Sequence, residues 1–249
     1  MARAAVPGGL MGRLDWRVAR LAGHRDETPT ARTLLLDVPG WPGHLAGQHV
    51  DVRLTAQDGY RAERPYSLAA PSGGDRVELT VQRIGDGEVS PFLTEEMRIG
   101  DPFELRGPIG GWFVWRPADP APVLLIAGGS GIVPLRAMLR AREEVGSRAP
   151  FRLIYSVRTP EDVYYADELR TPRPGVDVRL VYTRKAPDGA RTAPGRLGLA
   201  ELNSHGWPAE FAPNCFVCGP TGFVETVADL LLALGHDARR VRTERFGPA

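Results

Sequence analysis

Arg64-Pro65-Tyr66-Ser67 places three kinds of chemistry in four residues. Arginine offers a fork of donors to a phosphate, tyrosine a flat ring for stacking, and serine a small donor and acceptor. Pro65 keeps the residue before it out of the helical region, so Arg64 to Ala69 is expected to be extended. On a strand, Arg64 and Tyr66 share one face and Ser67 points the other way. An ordinary strand with a surface arginine and a core tyrosine explains the tetrapeptide equally well.

Other stretches carry chemistry too. Gly85-Asp-Gly-Glu-Val-Ser90 is a glycine turn running into a helix start, where free backbone N–H groups can hold an anion. A plain capped turn explains it as well. Gly107-Pro-Ile-Gly-Gly-Trp-Phe113 reads as a barrel exit. Gly128-Gly-Ser-Gly131 opens another helix and suits a pyrophosphate. No lysine follows it, so it is not a Walker loop, and it lacks the G-x-G-x-x-G spacing. Ser156, Arg158, Thr183 and Arg184 fall at two neighbouring strand ends, where donors suit a ribose 2′-phosphate. The competing reading is surface arginines of an arginine-rich chain: of the 31 basic residues only Lys185 is lysine. Cys215 and Cys218 form C-x-x-C, which suggests redox or zinc chemistry. Residues three apart on a strand face opposite ways, and there is no second pair. Cys218, before Gly219-Pro220, fits better as a single site residue.

Two kinds of element must position these groups. From Arg13 to about Trp115 the pattern is strand and turn. Trp16–Leu21, Arg32–Val38, His49–Leu54 and Arg76–Arg83 alternate, and Pro102–Arg106 returns to strand. Over 91–97 the pattern predicts one or two helical turns, with Ser90 as N-cap and Pro91 at N1. About six strands with one short helix imply a closed antiparallel barrel. The proline-rich stretch Arg116–Pro122 is the expected boundary. Beyond it, strands at Val123–Ala127, Phe151–Tyr155, Val176–Tyr182, Cys215–Cys218 and Val241–Thr243 alternate with helices at 134–145, 162–169, 198–202 and 221–235. That alternation implies an open parallel sheet, whose ligands sit at the carboxyl ends of the strands.

Bulk properties narrow the classes. The chain has 249 residues, 43% hydrophobic, with a formal net charge of +1, so neither nucleic acid nor a charged membrane is the expected partner. Two cysteines imply no disulfide framework. No apolar run spans a bilayer, the first ten residues lack a signal-peptide core, and a cytoplasmic location is expected.

The motifs Arg64-Pro-Tyr-Ser67, Gly87-Glu-Val-Ser90, Gly107-Pro-Ile-Gly110, Gly128-Gly-Ser-Gly-Ile-Val-Pro134 and Cys218-Gly-Pro220 occur in one order along nearly the whole chain. In this the chain resembles ferredoxin–NADP⁺ reductase-type flavoproteins, in particular the flavin/nicotinamide module of bacterial oxygenase reductases. The resemblance implies two domains, an antiparallel Greek-key β-barrel for FAD over 11–115 and a Rossmann-like α/β five-stranded parallel sheet for NADP over 122–249. It implies that Arg64 and Pro65 lie at the FAD pyrophosphate, that Tyr66 stacks on the isoalloxazine, and that Ser67 bonds near flavin N5. Val81, Gln82 and Arg83 would lie along the flavin and its phosphates. Gly87, Glu88, Val89 and Ser90 would cradle the pyrophosphate. Gly129, Ser130, Gly131, Ile132 and Pro134 would hold the NADP pyrophosphate, and Ser156, Arg158, Thr183 and Arg184 its adenosine end. Cys218, with Gly219 and Pro220, would sit beside nicotinamide C4, and Glu244 near the flavin as a proton relay. Relatives that end in a tyrosine cover the second flavin face with it; here Phe246 is followed by Gly247-Pro248-Ala249.

The implied function is hydride transfer from NADPH to flavin N5, then electron transfer to a separate one-electron acceptor, a ferredoxin or an oxygenase component. A fused iron–sulfur domain would need four cysteines. The rivals are an NADH-preferring reductase of a monooxygenase or dioxygenase, and a regulatory subunit that binds flavin and moves no electrons.

Overall fold

The computed structural model describes residues 15–190 and 192–247. Residues 11–14 of the expected first domain, and Pro248 and Ala249 of the second, lie outside them.

The first half is six strands: β1 Trp16–Thr28, β2 Ala31–Asp37, β3 His49–Thr55, β4 Arg61–Ser67, β5 Arg76–Gln82 and β6 Pro102–Ile109. Their order is β4-β3-β6-β1-β2-β5, antiparallel throughout. β6 returns to lie between β3 and β1, a Greek-key exchange. A Leu68–Leu79 bridge and the bond from Ala69 N–H to the Glu78 carbonyl, 2.8 Å, join the two edge strands into a barrel. Alternation supplies the core: Val50 and Val52 of β3 point inward, with Val77, Leu79 and Val81 of β5.

Two local readings need correction. β1 continues past Leu21 to Thr28, and its register against β2 shifts at Leu21/Gly23 and again at Asp26/Thr28, which bends the strand over the barrel rim. The helical stretch in 91–97 is one π-helical turn, Phe92–Glu96, without a side-chain cap. The Ser90 hydroxyl accepts instead from Ile84 N–H at 3.0 Å, which closes the glycine turn.

The second half is an α/β layer. It runs β7 Val123–Gly128, α1 Ile132–Glu144, β8 Phe151–Val157, α2 Ala166–Arg170, β9 Val176–Tyr182, α3 Leu199–His205, β10 Asn214–Pro220, α4 Thr221–Ala233 and β11 Val241–Phe246. The sheet order is β11-β10-β7-β8-β9, all parallel. The order reverses between β7 and β10, the point where open sheets of this kind leave a crevice. β7 is buried along its whole length, as a strand covered on both faces must be. Leu135, Met138 and Leu139 of α1 and Val224, Val227 and Leu231 of α4 supply the cover. The helix expected at 162–169 is shortened to α2. Asp162 bonds the Thr159 N–H and hydroxyl at 3.0 Å each, and Tyr165 takes a left-handed φ of 56°.

The halves share a core. Phe113, Trp115 and Ala69 pack in one cluster with Leu135 and Met138. The connector at 116–122 is pinned rather than loose, because Asp119 accepts from Asn214 Nδ2 at 2.8 Å and from Ala121 N–H at 3.0 Å.

Candidate active site

A cleft of about 500 Å³ runs between the halves. From the barrel it takes Arg64, Pro65, Tyr66 and Ser67 of β4, Gln82 of β5, and the turn Gly87–Ser90. From the sheet it takes Ser130 and Val133 at the start of α1, and Arg245, Phe246 and Gly247 at the end of β11.

The barrel wall is built by β4. Tyr66 is largely buried, and burial pushes its phenol up to about 12. The ring is therefore a neutral, mostly apolar plate. Ser67 is buried, and its hydroxyl has no hydrogen-bond partner within the protein. A buried hydroxyl costs free energy until something bonds it. Arg64 stands half exposed at the mouth, with Nη2 3.5 Å from Glu88, whose carboxylate also accepts from the Tyr60 hydroxyl at 3.0 Å. An anion bound here competes with Glu88 for the guanidinium.

On the sheet side, glycine is required by contact. A Cβ at Gly131 would stand 2.1 Å from the Cys218 carbonyl oxygen, and one at Gly128 would strike the Phe223 ring at 2.8 Å. The tips of β7 and β10 thus touch backbone to backbone, which leaves the start of α1 open to the cleft. Ile132 and Pro134 are buried behind that opening.

At the next strand ends, Thr183 N–H bonds the Val157 carbonyl at 2.8 Å and Arg184 N–H bonds the Arg158 carbonyl at 2.9 Å. The two arginines are neighbours, and both are exposed. Among the described residues neither makes an ion pair. Ser156 is buried below them.

β10 and β11 place Cys218 and Glu244 side by side in register. Cys218 is fully buried and does not reach the cleft wall; burial, then the neighbouring Glu244, hold its thiol well above the usual range. Cys215 lies in the cluster under α4 and Cys218 in the cluster under α1, so the two face opposite sides of the sheet. Burial raises the Glu244 carboxyl from 4.5 to about 7, and its Oε2 is buried without a partner. Glu244 Oε1 stands 3.9 Å from Nδ1 of His49, which pairs with Ser67 across β3 and β4. That distance is too long for a hydrogen bond. Burial also lowers the His49 imidazole, so both groups favour their neutral forms.

A model of the oxidoreductase FAD-binding domain matches residues 24–114, and one of the oxidoreductase NAD-binding domain matches residues 125–229. The chain is 33% identical to ferredoxin–NADP reductase B of Sorangium cellulosum over 239 residues, 92% of this chain and 96% of that protein. The chain belongs to the ferredoxin–NADP reductase-type flavoprotein family. It is an NAD(P)H-dependent flavin oxidoreductase. The reductase is also 30% identical to the glycine betaine monooxygenase reductase subunit of Chromohalobacter salexigens, over 81% of this chain but only 55% of that protein. Among solved structures it superimposes on the FAD/NAD-binding domain of nitric oxide dioxygenase from Vibrio cholerae with a TM-score of 0.83, at 28% identity, covering 93% of this chain and 99% of that one.

The cleft of the reductase suits a flavin nucleotide: a neutral plate at Tyr66, an unsatisfied hydroxyl at Ser67, and a cation at Arg64. Not every residue expected along the flavin lies in the cleft. Val81 is buried in the barrel core. Arg83 turns to a separate polar pocket and bonds Glu95. β5 alternates, so of the three only Gln82 faces the cleft. Phe246 and Gly247 line it as well. Sequence reasoning missed His49. Its position opposite Glu244 depends on the packing of the two halves, and the only signal was a histidine at the start of an otherwise plain strand. Among the described residues no group of three or more His, Cys, Asp or Glu could hold a metal, and no helix is long and apolar enough to cross a membrane.

Proposed function

We propose that the chain takes electrons from NADPH and passes them, through FAD, to a separate one-electron acceptor, a ferredoxin. The observation that carries this is the cleft that joins Tyr66 and Ser67 of the barrel to the open helix start at Ser130 and Val133. Bound FAD supplies the conversion of hydride chemistry to single-electron transfer. In this reading the two functional domains are 11–115 and 122–249.

The protein's part is placement. Arg64 and the Gly87–Ser90 turn hold the flavin pyrophosphate, through the N–H groups that follow Gly87, whose own N–H bonds the Ile84 carbonyl at 2.9 Å; Tyr66 offers the stacking plate, and Ser67 gives its free hydroxyl to the ring edge. The Gly129–Pro134 turn presents N–H groups and a helix start to the NADP pyrophosphate. Arg158 and Arg184 take the 2′-phosphate, a task that suits two exposed guanidiniums with no carboxylate partner. Gly219 and Pro220 at the tip of β10 wall the nicotinamide side, with Cys218 buried behind them, and Glu244 exchanges protons near the ring.

The test is spectroscopic. The protein purified with FAD should be yellow, should bleach anaerobically on NADPH, and should show a higher kcat/KM with NADPH than with NADH. A yellow protein that neither nucleotide bleaches would leave only a flavin-binding subunit.

A further inference from the structure

Between the cleft and a second, polar pocket beside the β1–β2 turn runs a file of hydroxyl groups. That pocket, of about 310 Å³, is lined by Glu27, Thr28, Thr30 and Arg83. Thr80 of β5 lines the cleft. It faces Thr33 of β2 across the barrel sheet, and the two Oγ1 atoms are 2.8 Å apart. Thr33 donates to Glu27 Oε1 at 2.6 Å, and the Tyr165 hydroxyl donates to Thr80 at 2.6 Å. Thr33, Thr80 and Tyr165 are buried. Glu27 is the residue that the register shift at Asp26/Thr28 leaves out of the ladder, and a bulge of this kind re-aims a side chain. Its carboxylate also takes the Tyr165 N–H at 3.2 Å and Nε of the exposed Arg25 at 2.9 Å.

These bonds have a direction. A hydroxyl has a single hydrogen to give. Thr33 gives its own to Glu27, so in the bond between the threonines Thr80 is the donor. Tyr165 donates in turn to Thr80. Every hydroxyl therefore points from the cleft side toward Glu27, and Thr80 Oγ1 keeps one acceptor site to spare. A file so oriented moves a proton in one sense. A proton arriving at Thr80 pushes that residue's hydrogen onto Thr33 and the Thr33 hydrogen onto Glu27, which releases it to solvent in the pocket. A buried valine pair would fill the same rung with no polar group to desolvate, so the two hydroxyls are kept at a cost.

We propose that Thr80, Thr33 and Glu27 form a proton exit from the cleft, with Tyr165 setting its direction. The reaction needs one. Hydride from NADPH carries two electrons and one proton into the cleft. Two one-electron acceptors take the electrons alone, so one proton per NADPH stays behind and must reach solvent. Among the described residues Glu244 offers no continuous path for it, since its Oε2 has no partner and its Oε1 is 3.9 Å from His49. The exit rests on the proposed transfer to a one-electron acceptor.

Two measurements test it. Neutron diffraction from crystals of the FAD-free protein shows the hydroxyl deuterons directly. The Thr33 deuteron should lie toward Glu27 and the Thr80 deuteron toward Thr33; the reverse order overturns the proposal. The second uses full-length, FAD-loaded protein, reduced anaerobically with one equivalent of NADPH and mixed with two of ferricyanide in weak buffer. A pH-indicator dye follows the proton and flavin absorbance follows the electrons. In wild type the two signals should keep pace. In T80V and in T33V, each of which cuts the file, proton release should lag roughly tenfold or more behind reoxidation. T80S returns the hydroxyl and should restore the pace. Valine variants whose two signals keep pace at the wild-type rate overturn the exit. If both signals slow together, a solvent deuterium isotope effect larger than that of wild type upholds it, and an unchanged one overturns it. A wild type that ferricyanide cannot reoxidise sinks the reductase reading instead, while the neutron map still decides the file.

Discussion

Nη1 of Arg136, in α1, donates to the Ala69 carbonyl at the barrel rim, 2.9 Å away, with the whole side chain buried. The same guanidinium bonds Glu78 at 3.2 Å and Glu168 at 2.9 Å and lies 4.1 Å over the Tyr165 ring. Tyr165 in turn donates to Thr80 of β5 at 2.6 Å. One cation thus holds the two halves in the relation that makes the cleft. Arg136→Met should lower unfolding stability by roughly 3 kcal/mol, because two carboxylates lose a buried partner. Urea unfolding of the two proteins measures it. A loss under about 0.5 kcal/mol would show that Arg140, which also bonds Glu168, suffices alone.

Ser67→Ala should separate stability from activity. It deletes a buried hydroxyl that bonds nothing within the protein, so the FAD-free variant should match wild type or gain about 1 kcal/mol. Flavin reduction by NADPH in stopped flow should slow by roughly tenfold or more, with FAD still bound. A FAD-free protein that loses stability would mean that the hydroxyl has a structural partner.

Arg184→Gln should weaken NADPH binding by roughly 10- to 100-fold and leave NADH nearly untouched, since only NADPH carries the 2′-phosphate. Equal losses with both nucleotides, in inhibition by NADP⁺ and NAD⁺, would move the phosphate elsewhere.

Glu244→Gln tests the buried carboxyl through pH. Its folded value is raised from 4.5 to about 7, so its protonated form is the favoured one. The stability it contributes is complete below about pH 4.5 and is lost as pH rises through 7. At pH 8 the ionised, buried carboxylate costs roughly 3 kcal/mol. Glu244→Gln carries no such cost, so its stability relative to wild type should grow between pH 5 and 8. His49 works in the opposite sense, since its lowered value costs stability as pH falls. A stability difference that stays flat across this range would refute the raised carboxyl.

Much of the fold was legible because alternation and burial are local. His49–Thr55 and Arg76–Gln82 alternate, and the glycine loop after Val123–Ala127 announces itself by type. Gly23–Thr28 was not legible as strand: a glycine followed by charged residues shows no period, yet it pairs with β2 through two register shifts. That stretch matters, for Glu27 accepts from Tyr165 N–H at 3.2 Å across the halves. The candidate site divides the same way. Tyr66 and Ser67 stand out by motif. His49 opposite Glu244 and Arg136 on Ala69 join residues 195 and 67 positions apart, and only the packed halves bring them together.

Cys215 and Cys218 are both free, both fully buried, and on opposite faces of one central strand. In the native protein neither is open to a thiol-reactive dye, and the two cannot bridge without breaking β10. Each thiol therefore reports on a different layer. Cys218 becomes labelled when the α1 side opens, and Cys215 when the α4 side opens. Peptide mapping after timed alkylation would then rank the two layers by how often each comes apart.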